Sequence, residues 1–363
     1  MWTTLGDLFT LQAGKNIAAK EIYPEFSEIY KYPCFGGNGI RGFVSNFNRN
    51  GDFPIIGRQG ALCGNVNLAI GDFYATEHAV VVERFSDTDL MWTYYVLIAL
   101  NLNQYATATA QPGLAVNVIN DVIVPVPPFQ EQCRISKAVT RLFSLINEIE
   151  HGKQKLQGTI KQTKSKVLDL AIHGKLVPQD LNDEPASELL KRINPKAEII
   201  TDNGHYQKLP SGWAICRLED IVSYEQPTPY IVKSTNYADS YETPVLTAGK
   251  SFIIGYTDET AGIYTSLPCI IFDDFTTDSK FVDFPFKVKS SAMKILQVVE
   301  DINIEYVSMF MSITRLIGDT HKRYWISEYS KLEIPIPPAE EQKRIVDTVR
   351  LIFKKLDSIS DSL

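Results

Sequence analysis

The sequence predicts an α/β (α+β) fold in which two tandem mixed domains repeat one another and alternate with long helices. The first observation behind this prediction is a duplicated run, Pro-x-Pro-Pro-x-x-Glu-Gln-x-Arg-Ile, which begins at Pro125 and again at Pro335, 210 residues later. A period of this length indicates two copies of a whole domain. The two copies place a pseudo-two-fold repeat within one chain.

The second observation is the pattern of the segment before each duplicated run. Short aliphatic and aromatic runs are separated by turn residues in both segments, and each segment holds one longer helical stretch. We therefore predict a mixed α/β domain over residues 1–124 and another over residues 210–334. The expected strands include residues 52–56, 79–82 and 122–124 in the first domain and 244–246, 252–256 and 269–272 in the second, with helices at 89–101 and 303–317.

The third observation is a seam of apolar residues after each duplicated run. Pro128 and Pro338 suit the first position of a helix, where a missing N–H costs nothing. The steps of four and three residues that follow are those of a coiled coil. The seam runs through Ile135, Val139, Leu142, Ile146, Ile149, Lys153, Leu156, Ile160, Thr163, Val167 and Leu170, and then through Ile345, Val349, Ile352, Leu356, Ile359 and Leu363.

A helix over residues 128–172 would be about 65 Å long at 1.5 Å per residue, so we expect it to span between domains. In the alternative interpretation, two unrelated amphipathic helices pack on local cores and share a register by accident. Between this helix and the second domain, polar and turn-rich residues predict a linker with one short helix. The predicted segments are residues 125–178 for the first helix, 179–209 for the linker with its helix at 186–193, and 335–363 for the second helix.

Composition limits the classes of function. The chain has 363 residues and a formal net charge of −7, and residues 1–124 and 210–334 are both acidic. No apolar run is long enough to cross a membrane and the start does not resemble a signal peptide, so we expect a cytoplasmic protein with no membrane partner. Five scattered cysteines without Cys-x-x-Cys spacing predict reduced thiols and no zinc site. If DNA is the ligand, a partner must supply much of the phosphate neutralisation, or basic residues must cluster on one face.

Three phrases carry a resemblance to a known family: the duplicated run, Ala171-Ile-His-Gly-Lys-Leu-Val-Pro178, and Leu209-Pro-Ser-Gly-Trp213. Over nearly its whole length the chain resembles the specificity subunit of type I restriction-modification systems. The resemblance implies two target-recognition domains, residues 1–124 and 210–334, each reading one half of a bipartite sequence in double-stranded DNA. It also implies that the two helices are spacers pairing as an antiparallel coiled coil, although the second is much the shorter.

The same resemblance implies the partners. Two modification subunits would dock on the helices and bring the adenine-methylating chemistry, and restriction subunits would add ATP-driven translocation and cleavage. The chain itself would then be a non-catalytic recognition subunit, and we expect no cofactor and no metal.

Several motifs suggest other chemistry. Phe35-Gly-Gly-Asn-Gly39 matches a methyl-donor loop, and Val126-Pro-Pro-Phe129 is one residue from the catalytic motif of amino-methyltransferases. The surroundings of Phe35 predict a turn between strands instead, and Val126 has no amide or carboxylate to hold a target amino group. Gly249-Lys-Ser251 lacks the glycines of a phosphate loop, and the isolated histidines have no spacing suited to a metal.

The residues that remain are polar, basic and aromatic side chains on glycine-rich loops, suited to reading bases. Arginine pairs with guanine, and glutamine or asparagine with adenine, in the major groove. We single out Gln111 and the run from His321 to Tyr324, because they lie 210 residues apart, just before each closing strand. The candidates are Asn38, Arg41, Arg58, Gln59, Asn65, Tyr74, His78 and Gln111 in the first domain and Lys250, Tyr256, Thr276, Thr277, Lys280, Ser291, His321, Lys322, Arg323 and Tyr324 in the second.

The sequence therefore predicts a DNA sequence reader that also scaffolds modification and restriction subunits. The main alternative is a two-headed adaptor that binds two protein ligands, for which an acidic chain would be natural. An adenine-N6 methyltransferase is the third hypothesis, because of the two motifs described above.

Overall fold

The computed structural model describes residues 1–85, 87–107, 112–200, 209–247, 251–316 and 322–363. The chain forms two units, Met1–His151 and Gly152–Leu363. The elements of the first unit are β1 Trp2–Thr4, α1 Leu5–Leu8, β2 Phe9–Ala13, β3 Tyr32–Gly36, β4 Gly39–Val44, β5 Arg49–Asn50, β6 Phe53–Gly57, β7 Val66–Ala69, β8 Asp72–Ala75, β9 Ala79–Arg84, α2 Leu90–Ala99, α3 Val116–Asn120, β10 Ile123–Pro125 and the start of α4 Phe129–Ile172, with 3-10 turns at Ala19–Glu21 and Leu102–Tyr105.

The first unit contains three small sheets. The first and last strands, β1 and β10, pair antiparallel, with Thr3 opposite Val124. A four-stranded antiparallel sheet has the order β2-β9-β6-β7. The third sheet has the order β4-β3-β8-β5, and β3 and β8 are its parallel pair. Buried side chains from both four-stranded sheets and from α2 form the core of this unit.

The second unit begins inside α4 and repeats the succession of the first. Its elements are α5 Ala186–Ile193, β11 Ala214–Arg217, α6 Leu218–Ile221, β12 Val222–Glu225, β13 Thr243–Leu246, β14 Ile253–Thr257, β15 Cys269–Asp273, β16 Ser279–Val282, β17 Lys287–Val288, β18 Met293–Val298, α7 Ile304–Ile313, β19 Glu333–Ile336 and α8 Ala339–Asp361, with 3-10 turns at Thr228–Tyr230 and Tyr329–Lys331.

The sheets of the second unit match those of the first, except that β5 has no counterpart among the described strands of the second. β11 pairs with β19 as β1 pairs with β10, and the order β12-β18-β15-β16 matches β2-β9-β6-β7. The sheet β14-β13-β17 keeps the parallel pair, here β13 with β17. The helices begin alike as well, because the Asp89 carboxylate caps α2 and the Asn303 side chain caps α7. The duplication in the sequence is therefore a duplication of the whole fold.

The long helix α4 follows its prediction closely. It runs through Gly152 and Gly158 without a break and ends just before Gly174, whose φ of +63° lets the chain turn where the N–H of Lys175 donates to the carbonyl of Leu170 at 2.8 Å. The short helix α5 has the predicted bounds.

The seam is antiparallel, as the resemblance implied. Lys153 donates to the terminal carbonyl of Leu363, and Lys164, farther along α4, pairs with Asp357 and lies over the ring of Phe353. Contacts farther along α4 therefore involve residues with lower numbers on α8, so the two helices run antiparallel. Val167 and Leu168 belong to the same buried cluster as Ile345 and Val349.

In the described structure, the α4 seam residues before Ile160 are exposed or half-buried, and burial begins at Ile160. Val167 is 8% exposed, but Ile146 is 48% and Ile149 is 70% exposed. The sequence predicted one continuous buried seam, and this is wrong for the first half of α4. The reason is geometric, since α8 has 23 residues against 44 in α4, and its last residues lie beside Lys153.

Among the described residues, no helix combines the length and the apolarity needed to span a bilayer.

Candidate nucleic-acid interface

The two units carry the same kind of turn after equivalent central strands, β6 and β15. After β6, the N–H of Arg58 donates to the carbonyl of His78 at 2.8 Å. After β15, the N–H of Asp274 donates to the carbonyl of Ala292 at 3.0 Å. His78 directly precedes β9, and Ala292 directly precedes β18. Arg58 and Asp274 therefore occupy the same position in the duplicated fold.

In the first unit, the turn of residues 58–60 holds residues 112–114. The carbonyl of Arg58 accepts the N–H of Leu114 at 2.8 Å, and the N–H of Gly60 donates to the carbonyl of Pro112 at 2.9 Å. Gln59 forms a β-bridge with Gly113. These bonds fix residues 112–114 to the turn. The candidate Gln111 lies outside the described residues.

In the second unit, the turn of residues 274–278 holds residues 322–325 on one side and Leu316 on the other. The carbonyl of Asp274 accepts the N–H of Tyr324 at 2.9 Å, and its Oδ1 accepts the N–H of Trp325 at 2.8 Å. On the other side, Oγ1 of Thr277 accepts the N–H of Leu316 at 3.2 Å. The candidate His321 lies between these anchors and outside the described residues. Each unit thus ties the loop before its closing strand to the turn after its central strand.

The structure brings several candidates of the first unit together around turn 58–60. The exposed side chains of Asn38 and Asn65 are hydrogen-bonded at 2.9 Å. The tip of the β3–β4 hairpin lies directly on the turn, because a Cβ on Gly57 would come within 1.8 Å of the Gly37 carbonyl oxygen. Only glycine permits this approach. Nε2 of His78 lies 3.1 Å from the Glu77 carboxylate. One region of this unit therefore contains five of the candidates, Arg58, Gln59, Asn38, Asn65 and His78.

Two candidates of the first unit lie elsewhere in it. Tyr74 is on β8, where its hydroxyl donates to the carbonyl of Asn16 at 3.2 Å, and burial raises the pKa of this phenol. Tyr74 also lines a hollow with Lys20, Tyr23 and other residues. Arg41 is exposed on β4, and its aliphatic carbons lie over the backbone of the β3–β4 hairpin.

In the second unit, exposed candidates also gather at the turn. Thr276 is exposed within turn 274–278, and Ser291 adjoins the residue whose carbonyl anchors the turn. Lys322 and Arg323 are exposed just before the anchored residues Tyr324 and Trp325. The Arg323 guanidinium carbon lies 5.8 Å from the ring centroid of Phe275, a residue of the turn. A hydrogen bond to Glu328 raises the pKa of Lys322, so its ammonium stays charged.

Two candidates are buried and serve the fold. Thr277 is 0% exposed and has a φ of +57°, which is strained for a β-branched residue. Its hydroxyl accepts the N–H of Leu316. Tyr324 is 4% exposed and belongs to the core of the second unit. Because neither side chain reaches the surface in this conformation, we correct both from base contacts to positioning residues.

The remaining candidates of the second unit lie apart from the turn. Tyr256 is on β14, in the other sheet, opposite Pro244. Lys280 is exposed on the edge strand β16, opposite Ile271. Lys250 lies outside the described residues.

The apparent methyl-donor loop is a β-hairpin. Phe35 is buried on β3 opposite Ile40, and Gly37 and Asn38 form the tight connection to β4. A methyl-donor loop joins a strand to a helix, so the sequence-based rejection of this motif is confirmed. In the part of the chain that is described, no group of three or more histidine, cysteine, aspartate or glutamate side chains could hold a metal ion.

Sequence reasoning missed a pair of buried glutamines. Oε1 of Gln132 accepts the N–H of Asp89 at 2.9 Å, and Nε2 donates to the carbonyl of Pro127 at 2.9 Å. Gln342 makes the same two bonds, to Asn303 at 2.8 Å and to Pro337 at 2.9 Å. The Gln132 amide thus joins the start of α4 to the N-cap residue of α2, and the Gln342 amide joins the start of α8 to the N-cap residue of α7. The signal was the glutamine in both copies of the duplicated run.

A family model described as the type I restriction modification DNA specificity domain matches the chain twice, over residues 2–157 and 210–361. The specificity subunit of the Escherichia coli EcoprrI type I restriction enzyme is 47% identical over 146 residues, which is 40% of this chain and 36% of that protein. The EcoR124I/EcoR124II specificity subunit of the same species is 46% identical over 169 residues, 45% of this chain and 40% of that protein. The chain thus spans well under half the length of these two relatives.

A further relative matches almost end to end. A putative type I restriction enzyme specificity subunit of Haemophilus influenzae is 22% identical over 367 residues, covering 96% of this chain and 86% of that protein. Two solved structures share the fold over the whole chain. A chain from work on complex assembly and conformational transition of the type I R-M system has a TM-score of 0.66 at 14% identity and is 92% covered. The HsdS subunit of Thermoanaerobacter tengcongensis has a TM-score of 0.53 at 13% identity and is 91% covered.

Proposed function

Since this chain belongs to the type I restriction modification DNA specificity domain family, we propose that it is the specificity subunit of a type I restriction-modification complex. Each unit reads one half of a bipartite sequence in double-stranded DNA. The observation that carries the proposal is the repeated turn, because the same backbone position, Arg58 or Asp274, anchors a polar loop in both units. A duplicated reading site is what a split target requires.

The chemistry of the exposed and half-buried side chains at the two turns suits base reading. In the first unit, Arg58, Gln59 and Asn38 offer the donor and acceptor pairs that recognise guanine and adenine in the major groove. In the second unit, Lys322 and Arg323 supply the donors for guanine, and Thr276 supplies a hydroxyl that suits several bases. We propose these six residues and their neighbours at the two turns as the base-reading sites.

The charge of the chain supports the need for partners. With a net charge of −7, the chain neutralises few phosphates by itself, and most non-specific affinity for DNA comes from that neutralisation. We propose that two modification subunits supply this neutralisation and that restriction subunits join them.

Two equivalent helix grooves support the proposal of two modification subunits. One lies between α2 and α4 and includes Met91 and Arg141, and the other lies between α7 and α8 and includes Met309 and Arg350.

We also propose that the chain is a non-catalytic recognition subunit. The two motifs that pointed to a methyltransferase are a hairpin at Phe35 and the lead into α4 at Val126. The purified chain should transfer no methyl group from tritiated donor to duplex DNA, and transfer should begin when modification subunits are added. Transfer by the chain alone would refute this part of the proposal.

The division of labour is tested by two matched variants in the assembled complex. Arg58→Ala should relax preference in one half of the target only, and Arg323→Ala in the other half only, each by about 1–3 kcal/mol if the lost contact is to a base edge. Binding selections from randomised duplexes measure both halves at once. Lys196→Ala, at an exposed linker position, is the control and should change neither half. If both arginine variants weaken binding to all sequences equally, the contacts are to phosphates instead.

The two-headed protein adaptor remains the alternative, and the acidic net charge favours it. Duplex mobility shifts at two salt concentrations, with and without modification subunits, separate the two functions. A DNA reader loses affinity steeply as salt rises, because released counterions drive binding. The absence of any salt-dependent shift in the assembled complex would favour the adaptor.

A further inference from the structure

The second unit buries an ion pair directly beneath its turn. Oδ2 of Asp274 lies 3.5 Å from Nζ of Lys294, and the two residues are 2% and 1% exposed. The ammonium of Lys294 also donates to Oε1 of Gln226 at 3.1 Å and lies 5.3 Å from the ring centroid of Tyr224. Lys294 is on β18, opposite Phe272 at the end of β15. The pair therefore connects the central strands of the sheet to turn 274–278.

The carboxylate of Asp274 acts on the loop that carries the exposed basic residues. Its Oδ1 accepts the N–H of Trp325 at 2.8 Å, and the backbone carbonyl of the same residue accepts the N–H of Tyr324 at 2.9 Å. Both amides immediately follow Lys322 and Arg323 in the chain. A shift of the carboxylate would therefore move the backbone from which these two side chains project.

The first unit has an apolar residue in place of the buried lysine. Arg58 stands in the position of Asp274, and Val80, opposite Ile56 on β9, stands in the position of Lys294. Val80 is fully buried in the apolar core. The loop bond is kept, because the carbonyl of Arg58 accepts the N–H of Leu114 as that of Asp274 accepts the N–H of Tyr324.

This comparison indicates what the pair does. Burying two charges costs desolvation energy, and an apolar pair of the same volume is often as stable or more so. The first unit shows that this fold does not need the buried lysine, because Val80 occupies its position. What the second unit gains over the first is a charged acceptor for the N–H of Trp325. The gain is therefore in the geometry of residues 322–325.

We propose that Asp274, held by Lys294, is a positioning residue that sets the conformation of residues 322–325 and so decides which bases the second unit accepts. The inference rests on the proposed function of the chain as a DNA reader. It predicts that the buried pair controls discrimination in one half of the target while contacting no DNA itself.

Two charge-free double variants test the inference. Asp274→Asn with Lys294→Met keeps an oxygen acceptor for the Trp325 N–H, and Asp274→Leu with Lys294→Met removes it at similar volume. Because neither leaves a lone buried charge, both are expected to fold. In the assembled complex, the leucine variant should lose about tenfold or more of the discrimination in the second half of the target, the size of one bidentate base contact. The asparagine variant should stay within a few-fold of wild type.

Lys287→Met is the matched control. Lys287 is an equally buried lysine of the same unit, but it pairs with Glu259 and donates to the carbonyl of Ala261, away from turn 274–278. Its loss should leave discrimination in both halves unchanged per folded molecule. Equal discrimination by the leucine and asparagine variants, or a loss shared by both halves of the target, would overturn the inference.

Amide hydrogen exchange separates a failure of the inference from a failure of the proposed function. The amides of Tyr324 and Trp325 should exchange faster in the leucine variant than in the asparagine variant, whether or not DNA is bound. If wild-type complex shows no sequence preference, the proposed function is refuted, and the exchange result still shows whether Asp274 positions the loop. If preference is present and exchange is the same in both variants, the inference alone is refuted.

Discussion

Replacing Gln342 by methionine removes a hydrogen-bonded amide from the interior while keeping an unbranched side chain of similar length. In the native protein this amide accepts the N–H of Asn303 and donates to the carbonyl of Pro337, and it is fully buried. The variant leaves one donor and one acceptor without partners. Each buried unsatisfied group costs about 1–3 kcal/mol, so we expect a loss of about 2–6 kcal/mol. That is a large part of the roughly 5–15 kcal/mol that stabilises a domain.

Differential scanning calorimetry measures the effect. For a unit of this size, 1 kcal/mol shifts the transition by about 2–4 °C. Gln132→Met should destabilise the first unit by a similar amount, because its amide makes the same two bonds. Gln130→Met, at an exposed position on the same helix, is the control and should stay within about 0.5 kcal/mol of wild type.

Gln342→Glu distinguishes hydrogen bonding from packing. Burial should raise the pKa of the new carboxyl above its value in the unfolded chain. The protonated form can still donate to Pro337, so stability should be kept at low pH and lost as pH rises through the folded-state pKa. If Gln342→Met costs less than 0.5 kcal/mol, or if Gln342→Glu shows no pH dependence, the amide is not the link that the structure indicates.

The seam and the buried thiols give two further predictions. Val167→Asp should destabilise the second unit by several kcal/mol because it buries an unpaired charge, while Ile146→Asp, at an exposed seam position, should stay near wild type in urea denaturation; equal losses would contradict the half-open seam. Burial raises the pKa of Cys216 and Cys269 to about 12, so both thiols should resist iodoacetamide at pH 8, and stability should fall as pH rises above the pKa of about 8.5 of an exposed thiol. Rapid native alkylation of either cysteine, read by mass spectrometry, would refute the assignment.

The elements that local patterns determine were predictable from the sequence. Helix α4 starts within one residue of its prediction, because the Pro-Pro step and the apolar periodicity act over short distances. Strand order was not predictable, because alternation of apolar and polar residues identifies a strand but does not indicate which strand pairs with it. The pairing of β6 with β9 and of β3 with β8 brings together segments that only the folded chain relates.

The candidate site was predictable only in part. Gln59, Lys322 and Arg323 are exposed and Arg58 is half-buried at the repeated turns, where glycine-rich and polar loops suggested them. Thr277 was misjudged because its hydroxyl turns inward to bind a backbone amide, a choice made by tertiary contacts. The buried glutamines and the pair of Asp274 with Lys294 escaped notice for the same reason, since polar residues on these segments are expected at the surface.

The pairing of each unit's first strand with its last has a consequence for how such chains can change. Because β1 pairs with β10 and β11 pairs with β19, the chain enters and leaves each domain on two neighbouring strands. Genetic recombination at these two strands would exchange a complete cassette of sheets, turns and loops. The ladder of hydrogen bonds that closes the cassette is made by backbone groups, so it accepts many different contents. Under the proposed function, new DNA specificity would then arise by a single exchange, with the long helices left unchanged.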